Sequence, residues 1–332
     1  MRKKEISEPI ETIYFGGGTP SLLTIDEIQS LIQVIYVNYK IVVSPEITLE
    51  ANPDDLNKKK IIALANTPIN RLSIGIQSFF EDDLQFMHRA HNAKEAFDSL
   101  KIATKYFDNI TIDLIYGIPN LSTKKWKKNL QIAFDLGIKH ISSYALTVEK
   151  NTALFQFINS GKYPKLKEEL ALDHFNTLVE ETSKHNFIHY EISNFGKEGF
   201  FSKHNTAYWQ GKNYLGIGPS AHSFIGNVRS WNLSNNVKYI KSLSENKLLQ
   251  EKETLTKTDL FNETIMIGLR TIWGVSLQEI TKKFTQKKTN YLVEKVKKHI
   301  ANNTLEIKDN KIIATAKGKF LIDGIAADLF IT

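Results

Sequence analysis

The chain has 332 residues, of which 42% are hydrophobic and 24% are charged, a composition typical of a globular protein with a buried core. It contains no cysteine, which excludes disulfides and any iron–sulfur or zinc site ligated by thiolates of this chain. No apolar run reaches the roughly 18–20 residues that span a bilayer. The charged start, MRKKEISEPIETIYF, has no apolar core of a secretory signal. We therefore expect a cytoplasmic protein with no membrane span.

The formal net charge is +7, and much of the lysine excess lies late in the chain. Such a basic surface can attract nucleic acid, anionic lipid or an acidic partner. The simpler interpretation, which we favour, is a solvated helix face. The lysines concerned are Lys282, Lys283, Lys287, Lys288, Lys295, Lys297 and Lys298.

Strand and helix patterns alternate from the start of the chain. The first helix opens with Thr24-Ile-Asp-Glu27, a Thr-x-x-Glu capping box. Repeated strand–helix units of roughly 25–40 residues predict parallel strands joined by crossover helices. Strands that are apolar on both faces are typical of buried parallel strands, so we expect an α/β fold. A barrel or partial barrel accounts for the pattern better than an open sheet. The predicted strands are 12–15, 47–53, 71–79, 109–119, 140–149 and 189–195.

The pattern changes after about residue 230. Three helices follow in succession, then two short strands around an Asp309-Asn310 turn, and a last helix. This order resembles a winged-helix module. We therefore divide the chain into domains 1–235 and 236–332. The predicted helices are 257–270, 276–284, 290–301 and 318–329.

Polar or glycine residues stand at the ends of successive apolar strands. In a parallel barrel, functional groups gather at the carboxyl ends of the strands. Any one of these residues alone is better explained as a helix cap or a hydrogen-bonded core group, but five at equivalent places predict a shared binding site. The positions are Gly16-Gly17-Gly18-Thr19, Glu50, Gln77, Asp113 and Tyr144-Ala145.

Five motifs occur in a fixed order: GGGTPS (16–21), LEANP (49–53), SIGIQSF (73–79), HRAH (88–91) and DLIYGIP (113–119). Together they resemble the coproporphyrinogen oxidase-like branch of the radical SAM superfamily, and the resemblance covers nearly the whole chain. It implies a partial (β/α) barrel with a C-terminal domain of the HemN type.

The resemblance implies a binding site for S-adenosylmethionine. Carboxylates would hold the ammonium and ribose hydroxyls, and an arginine would meet a carboxylate in bidentate fashion. Ala145 would contact the adenine. Near the methionine amino group the resemblance places Gly17, Gly18 and Thr19, and around the other polar parts of the ligand Glu50, Gln77, Arg89 and Asp113.

One departure from the family is serious. The family carries a Cys-x-x-x-Cys-x-x-Cys loop upstream of GGGTP, whereas fifteen residues precede Gly16 here and no cysteine exists. The first barrel strand is therefore expected to be missing. The family's [4Fe–4S] cluster has no ligands in this chain, so reductive cleavage of S-adenosylmethionine lacks its electron source. We favour Met1 being an internal methionine of a truncated gene, since losing a strand exposes a sheet edge. The alternative is a degenerate protein.

A second motif, His204-Asn-Thr-Ala-Tyr208-Trp209, resembles the haem-binding signature of HemW-type haem chaperones. Imidazole is a good axial iron ligand, and Tyr208 and Trp209 can pack on a porphyrin plane. A histidine beside aromatic residues is more often structural. The flanking YEISNF and YLGIGPSAHS segments resemble the same branch, however, and favour His204 as the haem-iron ligand. His222 is a weaker second candidate.

Three functions are therefore weighed. The first is a haem chaperone that passes haem to an acceptor protein, whose identity the sequence leaves open, as it does dimerisation. The second is an oxygen-independent coproporphyrinogen III oxidase, whose catalysis by this chain the missing cysteines make implausible. The third, nucleic-acid binding by the basic C-terminal region, is the weakest. Metal binding by His88 and His91 is also disfavoured, because residues three apart commonly share an exposed helix face.

Overall fold

The computed structural model describes Arg2 and residues 5–150 and 152–331. Met1, on which the expectation of a truncated gene depends, lies outside the described residues. The chain forms two compact units. We call them the sheet unit, Glu11–Val37 with Val43–Phe201, and the C-terminal unit, Met1–Ile10, Asn38–Val42 and Ser202–Thr332.

One mixed sheet organises the first part of the chain. Its described strands run in the order β1-β2-β3-β4-β5-β7-β6. The pairs β2–β3, β3–β4 and β4–β5 are parallel, so their carboxyl ends lie at one edge. The strands are β1 Ile10–Phe15, β2 Ile41–Ala51, β3 Arg71–Gln77, β4 Ile110–Tyr116, β5 His140–Ala145, β6 Ile188–Glu191 and β7 Asn194–Gly196.

Helices connect these strands. The predicted capping box is confirmed: the Glu27 carboxylate accepts from the Thr24 amide at 2.8 Å, and the Thr24 hydroxyl accepts from the Glu27 amide at 3.2 Å. Both bonds satisfy amides of the first helical turn. The helices are α1 Ile25–Asn38, α2 Lys58–Ala65, α3 Glu81–Phe86, α4 Ala93–Ala103, α5 Thr123–Asp135, α6 Ala153–Asn159 and α7 Glu168–Lys184.

The central strands are buried on both faces, as parallel strands covered by helices are. Every residue of β3 is buried. Behind β4, the indole of Trp126 on α5 donates to the carbonyl of His174 on α7 at 2.9 Å. The predicted α/β fold is thus confirmed, and its core lies between the sheet and these helices.

The predicted strand 189–195 is wrong as a single strand. It folds as the antiparallel pair β6 and β7, and β7 also pairs antiparallel with β5. Ile192 and Ser193 separate the two strands. Two residues can close a hairpin but cannot form the crossover that a parallel connection needs. The sheet is therefore mixed at this end.

The C-terminal unit contains the predicted helix–hairpin module. Asp309 and Asn310 both adopt the left-handed conformation, as a two-residue hairpin turn requires. The hairpin strands β12 and β13 pair antiparallel, and β13 also pairs with β11. This part comprises α10 Lys257–Leu269, β11 Val275–Ser276, α11 Leu277–Lys283, α12 Gln286–Ala301, β12 Leu305–Lys308, β13 Lys311–Ala314, α13 Ala316–Lys319 and α14 Ile322–Asp328.

A second small sheet of this unit was not predicted. Its three antiparallel strands lie in the order β10-β9-β8. The Gly226-Asn227 pair between β8 and β9, with Gly226 in the left-handed region, is a hairpin signal that the sequence does carry. Before the helix–hairpin module lie α8 Lys203–Trp209, β8 His222–Ile225, β9 Val228–Asn232, α9 Asn236–Ser244 and β10 Gln250–Thr254.

The chain passes for the last time from the sheet unit to the C-terminal unit between residues 201 and 202. The motif 204–209 therefore belongs to the same unit as the C-terminal helices. The division into domains 1–235 and 236–332 stays a prediction. Among the described residues, no helix is both long and apolar enough to cross a membrane.

Two glycines of the C-terminal unit give a matched test of packing. A Cβ at Gly318 would lie 1.9 Å from the Thr304 carbonyl oxygen, whereas a Cβ at Gly324 would meet nothing within 4 Å. We expect Gly318→Ala to lower the free energy of unfolding by roughly 1–3 kcal/mol. Gly324→Ala should raise it by roughly 0.5–1 kcal/mol through helix propensity. Denaturant unfolding measures both, and equal effects of the two variants would contradict this packing.

Candidate functional site

A cavity of about 240 Å³ opens at the carboxyl edge of the parallel strands in the sheet unit. Parallel pairing brings the ends of β2, β3, β4 and β5 to this edge, and the loop after β1 closes it. The residues that line it are mostly polar. They are Gly18, Thr19, Pro20, Glu50, Ala51, Asn52, Ser73, Gly75, Gln77, Arg89, Asp113 and Tyr144.

Glu50 at the end of β2 is held by two donors. The Tyr14 hydroxyl donates to its Oε1 at 2.7 Å, and the Gly17 amide donates to its Oε2 at 3.1 Å. Gly17 and Gly18 have φ values of 73° and 68°, which residues other than glycine rarely adopt. The triple glycine therefore turns the chain so that a backbone amide reaches the carboxylate.

Gln77 at the end of β3 is buried in a strained conformation. Its φ is +63°. The register between β3 and β4 shifts beside it, because β3 advances three residues from Ile74 to Gln77 while β4 advances two. Such backbone positions cost about 1–3 kcal/mol and cluster at functional sites. The buried Oε1 of Gln77 has no hydrogen-bond partner among the described residues. A donor on a ligand would satisfy it.

Arg89 brings a positive charge to the same cavity. Its Nη2 donates to Asn52 Oδ1 at 3.3 Å, while its buried Nε has no acceptor among the described residues. A Cβ at Gly75 would lie 3.0 Å from Gln77 Nε2 and 3.5 Å from Arg89 Nη2. Gly75 thus gives these two side chains the room to pack over β3.

Asp113 on β4 is the second carboxylate of the cavity. Burial, reinforced by the negative charge of Glu50, raises the pKa of Asp113 to about 7, although Ser142 and the guanidinium of Arg89 act in the opposite direction. Burial and the charge of Asp113 also raise the pKa of Tyr144. The cavity therefore favours a ligand that brings positive charge or hydroxyl donors to Asp113.

The structure brings most of the predicted site residues together. Gly17 contacts the cavity through Glu50. Ala145 is not among the described residues that line the cavity, whereas its neighbour Tyr144 is. Sequence reasoning missed Tyr14, Asn52 and Gly75, which hold the predicted residues in place. Those that line the cavity directly are Gly18, Thr19, Glu50, Gln77, Arg89 and Asp113.

Among the described residues, no three histidine, cysteine, aspartate or glutamate side chains are grouped so that they could hold a metal ion. His88 and His91 follow α3 rather than lying on a helix. His91 is buried, and its Nε2 bonds the Ile76 carbonyl oxygen at 3.1 Å. The interpretation of these two histidines as a shared exposed helix face is therefore wrong.

The predicted haem motif forms the short helix α8 in the C-terminal unit. The Ser202 hydroxyl caps it by accepting from the Asn205 amide at 3.2 Å. The ring of Tyr208 lies edge-on to His204, with centroids 4.8 Å apart, as residues one turn apart allow. Tyr208 in turn meets the ring of Tyr214 at 4.5 Å. Trp209 ends the helix.

Burial lowers the pKa of His204 to about 4, so its imidazole is neutral at physiological pH. Neutral imidazole is the form that binds a metal. His222, the weaker candidate, lies exposed on β8 with its ring stacked on Trp231 at 6.0 Å. The desolvated imidazole of His204 is the better prepared of the two.

Comparison with known families matches two segments of the chain. Residues 2–133 match the radical SAM superfamily, and residues 255–321 match the HemN C-terminal domain. The solved coproporphyrinogen III oxidase HemN of Escherichia coli aligns with a TM-score of 0.82 at 20% identity, covering 96% of this chain and 77% of that one. At this identity the likeness concerns the fold alone.

Curated relatives are similar over nearly the full chain. The haem chaperone HemW of Lactococcus lactis is 33% identical over 328 residues, which cover 96% of this chain and 86% of the relative. The haem chaperone HemW of Bacillus subtilis is 30% identical over 319 residues, which cover 94% of this chain and 83% of the relative.

The raised pKa of Asp113 predicts a pH-dependent stability. Because its folded pKa of about 7 lies above the ordinary 3.8, folding takes up a proton between these values, and the ionised carboxylate destabilises the fold as pH rises. Asp113→Asn should therefore raise the melting temperature by about 2–4 °C at pH 8 and by much less at pH 4. The matched control is Glu198→Gln at an exposed position. A gain that is the same at both pH values would contradict the burial of Asp113.

Proposed function

The chain belongs to the HemW family of haem chaperones within the radical SAM superfamily, and we propose that it binds haem and transfers it to an acceptor protein. The family assignment follows from relatives at 30–33% identity over nearly the whole chain. A cytoplasmic location and a haem-receiving partner are part of what we propose.

The observation that carries haem binding is the position of His204. Its imidazole is neutral, lies on a helix and is oriented against the ring of Tyr208. A neutral imidazole offers iron a nitrogen without first losing a proton. Tyr208 and Trp209 follow on the same helix and supply aromatic surface for a porphyrin.

We infer that the cavity of the sheet unit binds S-adenosylmethionine. Two carboxylates, Glu50 and Asp113, suit its cationic groups and ribose hydroxyls. Arg89 Nε and Gln77 Oε1, which have no hydrogen-bond partner in the described part of the chain, offer a donor and an acceptor to a polar ligand. The contact of Ala145 with adenine stays a prediction.

The [4Fe–4S] cluster of the radical SAM superfamily does not fit this chain. The sequence has no cysteine, and the described residues hold no alternative group of metal ligands. We therefore derive no radical step and no coproporphyrinogen oxidation from these residues. The proposed role needs binding and release of haem, which side chains of the C-terminal unit supply.

Haem binding by His204 is tested by titrating ferric haem into the purified chain and recording the Soret band. We expect His204→Ala to weaken binding at least about tenfold. Because the pKa of His204 is about 4, the difference from the parent should persist at pH 5. His222→Ala is the matched control and should bind like the parent. If His204→Ala binds haem as tightly as the parent, His204 is not the ligand.

Binding of S-adenosylmethionine is tested by calorimetry with Gln77→Gly. Glycine adopts the positive φ at this position without strain, so the melting temperature should stay close to that of the parent. Because the side-chain hydrogen bonds are lost, the affinity for S-adenosylmethionine should fall by about tenfold. Gln85→Gly, on the exposed face of α3, is the control and should lower the melting temperature without changing affinity. Unchanged affinity of Gln77→Gly would remove Gln77 from the binding site.

A further inference from the structure

Arg270 lies against the helix that carries His204. It caps the C-terminal end of α10, and its guanidinium carbon is 5.5 Å from the centre of the Trp209 ring. Both residues belong to the C-terminal unit. The sequence pattern around Arg270 indicates only a helix core, so this contact is visible in the fold alone.

The guanidinium of Arg270 makes few hydrogen bonds to the described residues. A guanidinium has five N–H donors in a planar fork. Among the described residues, the side chain pairs with one acceptor, the Asp323 carboxylate, through Nη1. Its Nε is buried and has no acceptor there. A buried donor of a charged group that is left unsatisfied is unfavourable.

A purely structural role explains the position of Arg270 poorly. The pair with Asp323 joins α10 to α14, but the Asp323 side chain is 74% exposed, and exposed ion pairs contribute little to stability. The pair also leaves Nε without an acceptor in the part of the chain that the structure describes. A cation–π interaction with the Trp209 ring instead holds the guanidinium beside α8. A carboxylate that approached Nε would complete the fork.

Haem carries two propionate carboxylates at one edge of its ring. We propose, building on the haem binding proposed above, that Arg270 binds a haem propionate beside Trp209 while His204 holds the iron. His204 and Trp209 are five residues apart on α8, about 7.5 Å along the helix axis. Arg270 thereby selects a porphyrin with free carboxylates.

The test compares haem with haem dimethyl ester, whose propionates are blocked, in Soret titrations of the full chain. We expect Arg270→Gln to weaken the binding of haem about tenfold and to leave the binding of the diester almost unchanged. The parent should prefer haem to the diester by a similar factor. Lys298→Gln is the matched control, since it also removes a cation paired with α14, and it should retain that preference.

Each outcome decides between the two proposals. Equal weakening of haem and diester by Arg270→Gln, or no weakening, would overturn the propionate contact while leaving haem binding intact. A parent chain that binds neither ligand would overturn the proposed function itself. If Arg270→Gln fails to fold, Arg270→Lys decides. It keeps the charge but loses the fork, so the preference for haem over the diester should shrink but persist. An unchanged preference in this variant would count against the contact.

Discussion

The parallel register of β2, β3 and β4 is the constraint on which the cavity of the sheet unit depends. Glu50 pairs with Ser73, and Ser73, Gly75 and Gln77 follow at every second position along β3. Residues two apart in a strand share a face, so these groups converge without a loop to position them. A slip of one residue in this register would turn Ser73 and Gln77 away from the cavity and into the helix-covered core. The apolar burial of β3 on its other face prevents that slip.

The cavity of the sheet unit contains two features that destabilise the folded state. Gln77 holds a positive φ next to a register shift, and Asp113 has its pKa raised by burial. Either feature alone is unfavourable by an amount comparable with a typical destabilising mutation. Both lie within one cavity, together with the Nε of Arg89, which has no acceptor among the described residues. A ligand that neutralises Asp113 and bonds Gln77 recovers this free energy on binding, which is how a preorganised polar site gains affinity.

The sequence predicts Glu50 at this edge because parallel strands bring their carboxyl ends together, and that argument needs only the strand pattern. Asp113 lines the same cavity from the middle of β4 rather than from its end, which the strand-end argument does not predict. The sequence does not predict Tyr14 as the donor to Glu50, because Tyr14 lies inside a strand and its position is typical of a core residue. The cavity meets Tyr144 rather than Ala145 because adjacent strand residues face opposite sides. The reversal at β6 and β7 was missed because a strand pattern does not record direction. The contact between Arg270 and Trp209 joins residues far apart in sequence and leaves no periodic signal.

A haem carrier has to release what it binds, and the structure of α8 suits that requirement. The helix has seven residues, none of which is fully buried, and Tyr208 remains 38% exposed. A ligand held against such a helix can leave without opening a core. The proposed contact between Arg270 and a propionate would affect the same balance, because a charge-assisted hydrogen bond orients a ligand and is weakened by salt. In the proposed complex, an acceptor that presents its own cation to the propionates would compete with Arg270 before the proposed bond between His204 and iron breaks.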